Sequence, residues 1–278
     1  MSLSDHTITV IGAGNIGRAL VGGLVNGGHV NPSKIRVTRR NPQALSPLRE
    51  MFPGISVGTN NTEAVDGASI IVLAVKPANW LTVTKEIRDH VSSHTLIVSV
   101  LAGLTTTRIG QEFSNCQPVV RTMPNTPMIV GQAATAICAG KSASHAHLAV
   151  VREMFEAVGS VEEVQEYLMD AVTGLSGSGP AYVFMLIEAL TDAGVKQGLP
   201  RPIAFRLSKK TVLGAAQLAD HTGEHPAILR DQVTTPGGTT IAAIAELEQY
   251  GLRTMFIHAV STATERSKEL SGNDDNTS

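Results

Sequence analysis

The chain has 278 residues, with 22 basic and 24 acidic side chains and a formal charge of −2. That length allows one large domain or two ordinary ones, because single cores stop growing near ~250–300 residues, and 42% apolar residues exclude disorder for its bulk. The near-neutral balance argues against a dedicated nucleic-acid binder, which would carry a basic stripe.

Residues 1–6 lack the basic and then apolar stretches of a signal peptide, and no apolar run reaches the ~20 residues of a membrane helix. A soluble cytoplasmic protein is expected. The first half alternates β-rich runs with helix-length segments. Strands are predicted at Thr7–Ile11, Ile35–Thr38, Ile70–Val75, Leu96–Val100, Pro118–Arg121 and Ala133–Ala139, with helices over Pro77–His90 and Thr105–Phe113. The run Ile70–Val75 is continuously apolar, as a strand covered on both faces should be. This alternation predicts βαβ units and an α/β domain with a doubly wound, mostly parallel sheet. Cys116 and Cys138 both sit in apolar stretches, without disulfide or metal spacing. His145 and His147 read as exposed helix residues, and no histidine pattern asks for a metal.

Strand signals stop near Glu166, which predicts an all-α domain over 166–278 after an α/β domain over 1–165, with 271–278 as a disordered tail. Pro180 opens a helix to about Val195 that is apolar on nearly every face and should be buried on all sides. Further helices are predicted after Pro202, from Ile241, and from Leu252. A helical domain with so apolar a segment asks for a second copy of itself.

Gly12-Ala13-Gly14-Asn15-Ile16-Gly17 follows a strand and opens a helix. Gly12 would make the tight turn, Gly14 admit a pyrophosphate, and Gly17 let helix and strand pack closely, with N–H groups of the helix start facing the phosphates. An NAD site would place an acid at the end of the second strand. Here that segment reads Thr38-Arg39-Arg40-Asn41, and arginine suits a 2′-phosphate. NADP(H) is therefore expected, with NADH a weaker donor. Asn61 and the Ala74-Val75-Lys76-Pro77 segment are assigned to the same cofactor site. Arg121–Pro127 also looks too specific for packing alone. So does Val233-Thr234-Thr235-Pro236-Gly237-Gly238-Thr239-Thr240, whose glycines and helix start could hold a carboxylate in a nest of N–H groups.

Together with Met123–Pro127 and Asp170–Tyr182, these segments resemble those of the pyrroline-5-carboxylate reductases over nearly the whole chain. The resemblance implies a Rossmann domain followed by an all-α dimerisation domain. It also implies NAD(P)H-dependent reduction of 1-pyrroline-5-carboxylate to L-proline, the last step of proline biosynthesis. Active sites would form between the Rossmann cleft of one subunit and the helical loop of its partner, in interlocked dimers that can assemble further, up to a decamer. Val233, Thr235, Gly238, Thr239 and Thr240 are assigned to the substrate, with Thr240 and Lys76 as the catalytic pair. The family varies at the second-strand end, so Arg39 and Arg40 are this chain's own evidence on the cofactor. A hydroxyacid dehydrogenase or ketopantoate reductase is the rival enzyme, but residues 176–180 offer no lysine where such an enzyme needs one. A nucleotide-sensing scaffold is the other rival, and its carboxylate loop would be degenerate.

Overall fold

The computed structural model describes residues 2–113 and 116–272. Eight strands form one sheet: β1 (Ile8–Ile11), β2 (Ile35–Thr38), β3 (Ser56–Gly58), β4 (Ile70–Leu73), β5 (Leu96–Ser99), β6 (Val119–Met123), β7 (Ala133–Ala139) and β8 (Gly159–Glu163). Their order is β3-β2-β1-β4-β5-β6-β7-β8. Every pair is parallel except β6 with β7. This is the expected Rossmann arrangement, and the reversal from β1 to β4 puts the switch point at the carboxyl ends of those two strands.

Period-two alternation explains how the sheet is covered. Ile70 and Val72 of β4 face one side, packing with Leu20, Val21 and Leu24 of α1 (Asn15–Asn26) and Met154 and Phe155 of α6 (His145–Glu156). Ile71 and Leu73 face the other, against Trp80, Val83 and Ile87 of α4 (Trp80–Ile87) and Ile109 of α5 (Thr106–Gln111). All four residues of β1, β4 and β5 are buried; β4 reads as an unbroken apolar run, while β1 and β5 each bury one hydroxyl, that of Thr9 or Ser99.

Two strands carry too little signal to be foreseen, β3 (Ser-Val-Gly) and β8 (Gly-Ser-Val-Glu-Glu). Both are edge strands, and each buries a single valine, Val57 or Val161. Short helices α2 (Ser46–Met51), α3 (Asn61–Val65) and α7 (Met169–Val172) complete the connections. The cysteines divide: Cys138 is buried on β7, whereas Cys116 is exposed. His147 is half-buried rather than exposed, because it closes a capping box at the start of α6, its Nδ1 accepting from the Ser144 N–H at 3.1 Å.

The chain divides into two compact units, Met1–Ser178 with Ala263–Ser278, and Gly179–Thr262. In the second, α8 (Gly179–Lys196) packs on α9 (Arg201–Thr222), with Gly194 close against Ala204, followed by α10 (Pro226–Gln232) and α11 (Thr239–Gln249). Helix α12 (Leu252–Gly272) begins in this unit, includes Ser271 and Gly272, and ends in the other; residues 273–278 lie outside those described. Helix α8 is left largely uncovered within one chain. Thr191 is its buried residue, while Phe184 and Met185 stand 66% and 68% exposed. A single chain does not supply the cover that its all-round apolar surface requires. No helix among the described residues is long and apolar enough to cross a membrane.

Candidate functional site

The glycine turn sits between β1 and α1. Gly12 has φ +104°, and a Cβ there would run into the Ala74 carbonyl at the end of β4. A Cβ on Gly17 would strike the Gly12 carbonyl, so this glycine lets the helix lie on the turn. Gly14 differs: its Cβ would meet nothing within 4 Å. It caps α1 without a side chain, so the N–H groups of Asn15, Ile16 and Gly17 have no partner within the helix. The backbone thus leaves room and donors for an anion beside Gly14.

Above this turn opens a cleft of about 450 Å³ at the switch point, lined by Gly12, Gly14, Arg39, Arg40, Asn61, Ala74, Val75 and Lys76. Eight of the twelve residues assigned to the cofactor therefore share one cavity. Ile16 and Gly17 lie in the first turn of α1 instead. Asn15 does too, lining a separate groove of about 660 Å³ along that helix and accepting from Arg18 at 3.0 Å. Pro77 starts the exposed turn that leads into α4. Among the described residues, Arg39, Arg40 and Lys76 form no ion pair. Thr38 Oγ1, in the cleft wall, is buried without a hydrogen-bond partner. Unpaired cations, open space over Gly14 and free helix donors all fit a phosphorylated dinucleotide.

Asn79, Thr82 and Glu86 also line the cleft and were not foreseen. Their helix reads as an ordinary amphipathic one, and its polar positions look like solvated surface. Glu86 accepts a 2.9 Å hydrogen bond from Asn61 Nδ2.

The threonine loop belongs to the second unit. Gly237 has φ +68°, a left-handed conformation, and a Cβ on Gly238 would collide with Thr235 Oγ1. Both glycines thus have a geometric reason. Gly238, not a threonine, is the N-cap of α11, and its own N–H donates to the Thr235 carbonyl at 3.0 Å. The free donors of the first turn are those of Thr239, Thr240 and Ile241. Val233 and Thr235 are exposed and Thr240 is half-buried. Ahead of the loop, Glu224 is held by Gln232 at 2.9 Å.

The Arg121–Pro127 segment has a largely architectural explanation. Arg121, 3% exposed, lies between Glu166 (3.9 Å) and Asp170 (3.7 Å). Glu166 also accepts from the Thr106 backbone at 2.6 Å, and Asp170 from Ser267 at 2.7 Å. Thr122 donates to the Ser99 carbonyl at 3.0 Å. Burial beside this cluster pushes the Cys138 thiol up to about 12, with the Glu166 charge adding to the effect.

A glycine turn at the switch point of a doubly wound sheet, below a cleft with unpaired cations, defines a dinucleotide-binding protein of the Rossmann class. Residues 166–270 match the family described as pyrroline-5-carboxylate reductase dimerisation, and residues 7–103 match NADP oxidoreductase coenzyme F420-dependent. A pyrroline-5-carboxylate reductase of Methanosarcina acetivorans is 42% identical over 96% of this chain and 99% of its own length. That of Escherichia coli K12 is 38% identical over 96% and 99%. Among solved structures, the Coxiella burnetii pyrroline-5-carboxylate reductase superposes with a TM-score of 0.91 at 38% identity, covering 96% of this chain and 98% of that one. A Plasmodium falciparum pyrroline carboxylate reductase with NADP bound gives 0.86 at 28% identity, covering 97% and 99%. The chain belongs to the pyrroline-5-carboxylate reductase family.

Proposed function

We infer that this chain reduces 1-pyrroline-5-carboxylate to L-proline with NADPH, completing proline biosynthesis. The observation that carries this reading is kinship over nearly the whole length of enzymes of that name, at 42% identity. The bound cofactor supplies a hydride. The protein's own contribution is placement, because reaction requires the two rings in near-attack contact.

The first-turn N–H groups of Thr239 and Thr240 hold the substrate carboxylate, where the helix dipole also favours negative charge. Gly238 shapes the turn, since its N–H is already taken by Thr235, and Val233 and Thr235 form the wall around the ring. The Thr240 hydroxyl hydrogen-bonds the ring nitrogen. It has no useful acidity of its own, so the proton comes from water or is already on the iminium. Lys76 adds positive potential, and Arg39 and Arg40 favour the 2′-phosphate over NADH.

The bare apolar surface of α8, with Phe184 and Met185, supports self-association through the helical unit. We propose interlocked dimers, with a decameric ring as the higher assembly, in the cytoplasm and without nucleic-acid or membrane partners.

The test is NADPH oxidation by purified protein on adding 1-pyrroline-5-carboxylate, with proline identified as product. Thr240→Ala should lower kcat roughly tenfold or more while leaving NADPH affinity unchanged. Turnover of a 2-hydroxy acid with none of the imine would defeat the reading.

A further inference from the structure

The cleft above the glycine turn contains one carboxylate, that of Glu86, facing a site lined by Arg39, Arg40 and Lys76. A carboxylate in the wall of a polyanion site opposes binding unless it does something else there. Its partner shows what. Asn61 opens α3, is only 9% exposed and lines the same cleft. Its Nδ2 donates to Glu86 Oε2 at 2.9 Å, across from α3 to α4.

An ionised carboxylate only accepts hydrogen bonds, whereas an amide side chain can present either its oxygen or its nitrogen after a half-turn. With Glu86 as neighbour, the nitrogen must point at Glu86. The amide is thereby fixed in one of its two orientations, and the bond is charge-assisted. Among the described residues this is the only side-chain hydrogen bond of Asn61. Its carbonyl oxygen and second N–H remain for a ligand in the cleft.

We propose that Glu86 is a positioning residue for the cofactor: it acts through Asn61, orienting that amide to receive the adenosine ribose and its 2′ substituent. The assignment rests on the NADPH reading given above. It differs from the arginine contribution, which is one of charge. Glu86 adds no attraction itself; it removes the orientational freedom that Asn61 would otherwise lose on binding.

The experiment is equilibrium binding of 2′,5′-ADP and 5′-AMP to the full-length enzyme by calorimetry. Glu86→Ala should weaken 2′,5′-ADP by about three- to tenfold, the worth of one oriented hydrogen bond. Glu86→Gln should lose no more than about twofold, because its amide still pairs with Asn61 but allows two arrangements of the pair where the carboxylate allows one. In an Asn61→Ala background, Glu86→Ala should cost nothing more, and in the single variant KM for NADPH should rise without a change in KM for the imine. Wild-type binding by Glu86→Ala, equal loss in Glu86→Gln, or additivity with Asn61→Ala each overturns the proposal. Because the fragments bind without turnover, failure to reduce the imine would sink the functional reading while leaving these outcomes interpretable.

Discussion

Asn125 joins two backbones through a single buried amide. Its Nδ2 donates to the Ser176 carbonyl, and its Oδ1 accepts from the Ala134 N–H, both at 3.0 Å. Ser176 lies in a π-helical turn, Thr173–Gly177, between α7 and α8. Such turns leave backbone groups to be satisfied from outside the helix, and Asn125 does that here. The turn is pressed close as well, since a Cβ on Gly177 would come 2.7 Å from Met123 Cε.

Asn125→Ala would strand a carbonyl and an N–H in a region where Asn125 itself is 8% exposed. The expected cost is about 2–4 kcal/mol of unfolding free energy, read by urea denaturation. A change under about 0.5 kcal/mol would mean that water replaces the amide at both ends.

The three glycines of the turn should separate folding from binding. Gly12→Ala forces a Cβ into the Ala74 carbonyl at positive φ and should lower both Tm and NADPH affinity. Gly14→Ala places its methyl in open space. Its Tm should stay close to wild type, while NADPH affinity falls by about tenfold or more because the methyl occupies the phosphate approach. Calorimetry and thermal melts on the two variants check this; parallel losses in both would contradict it.

Much of this architecture is legible in the sequence because its signals are geometric. A Gly-x-Gly-x-x-Gly turn after Thr7–Ile11 has few alternatives, and the apolar run of β4 follows from being covered on both faces. Edge strands β3 and β8 escape because one inward valine is signal enough for an edge and too little for a reader. Arg121 misleads for a different reason. A buried arginine between two carboxylates is as constrained as one that binds a ligand, and spacing cannot separate them. Glu86 is invisible for the opposite reason: an acid on an amphipathic helix looks like solvated surface until Asn61 is seen against it. The apolar run of α8 is legible both as a helix and as a face that a second copy must cover, since Phe184 and Met185 stand exposed in one chain.

His147 supplies a pH dependence. Burial lowers its pKa from the ordinary value, and its unprotonated Nδ1 accepts the Ser144 N–H in the cap of α6. A folded pKa below the unfolded one gives a contribution present above ~6.5 and lost as pH falls below it. Tm should therefore drop between pH 7.5 and 5.0 by more in wild type than in His147→Gln. Equal drops in the two proteins would remove His147 from the acid response.

The cysteines should part chemically. A thiol pushed up to about 12 carries almost no thiolate at neutral pH, and Cys138 is 2% exposed. Cys116 is exposed. Native protein should take up one equivalent of iodoacetamide, at Cys116, and a second only on unfolding, with mass spectrometry of the peptides to assign them. Ready native labelling of Cys138 would show that β7 opens.

Arg39 and Arg40 decide the cofactor if their charge is free to act. Both line the cleft, and among the described residues neither pairs with an acid. Arg39 has its backbone anchored, its N–H donating to the Gly58 carbonyl of β3 at 3.1 Å, whereas Arg40 is the more exposed. An anchored backbone makes Arg39 the better-placed partner for a phosphate, since less freedom is lost on binding. Arg39→Ala should reduce the NADPH-over-NADH ratio of kcat/KM by about tenfold, and Arg40→Ala by less, with NADH kinetics nearly unmoved in both. The ratio should also fall in wild type as salt is raised, because partly exposed charges are screened. If both variants lose NADPH and NADH activity in equal measure, the arginines shape the cleft rather than read the 2′-phosphate, and the discrimination must come from Asn61 and the other neutral donors along the wall.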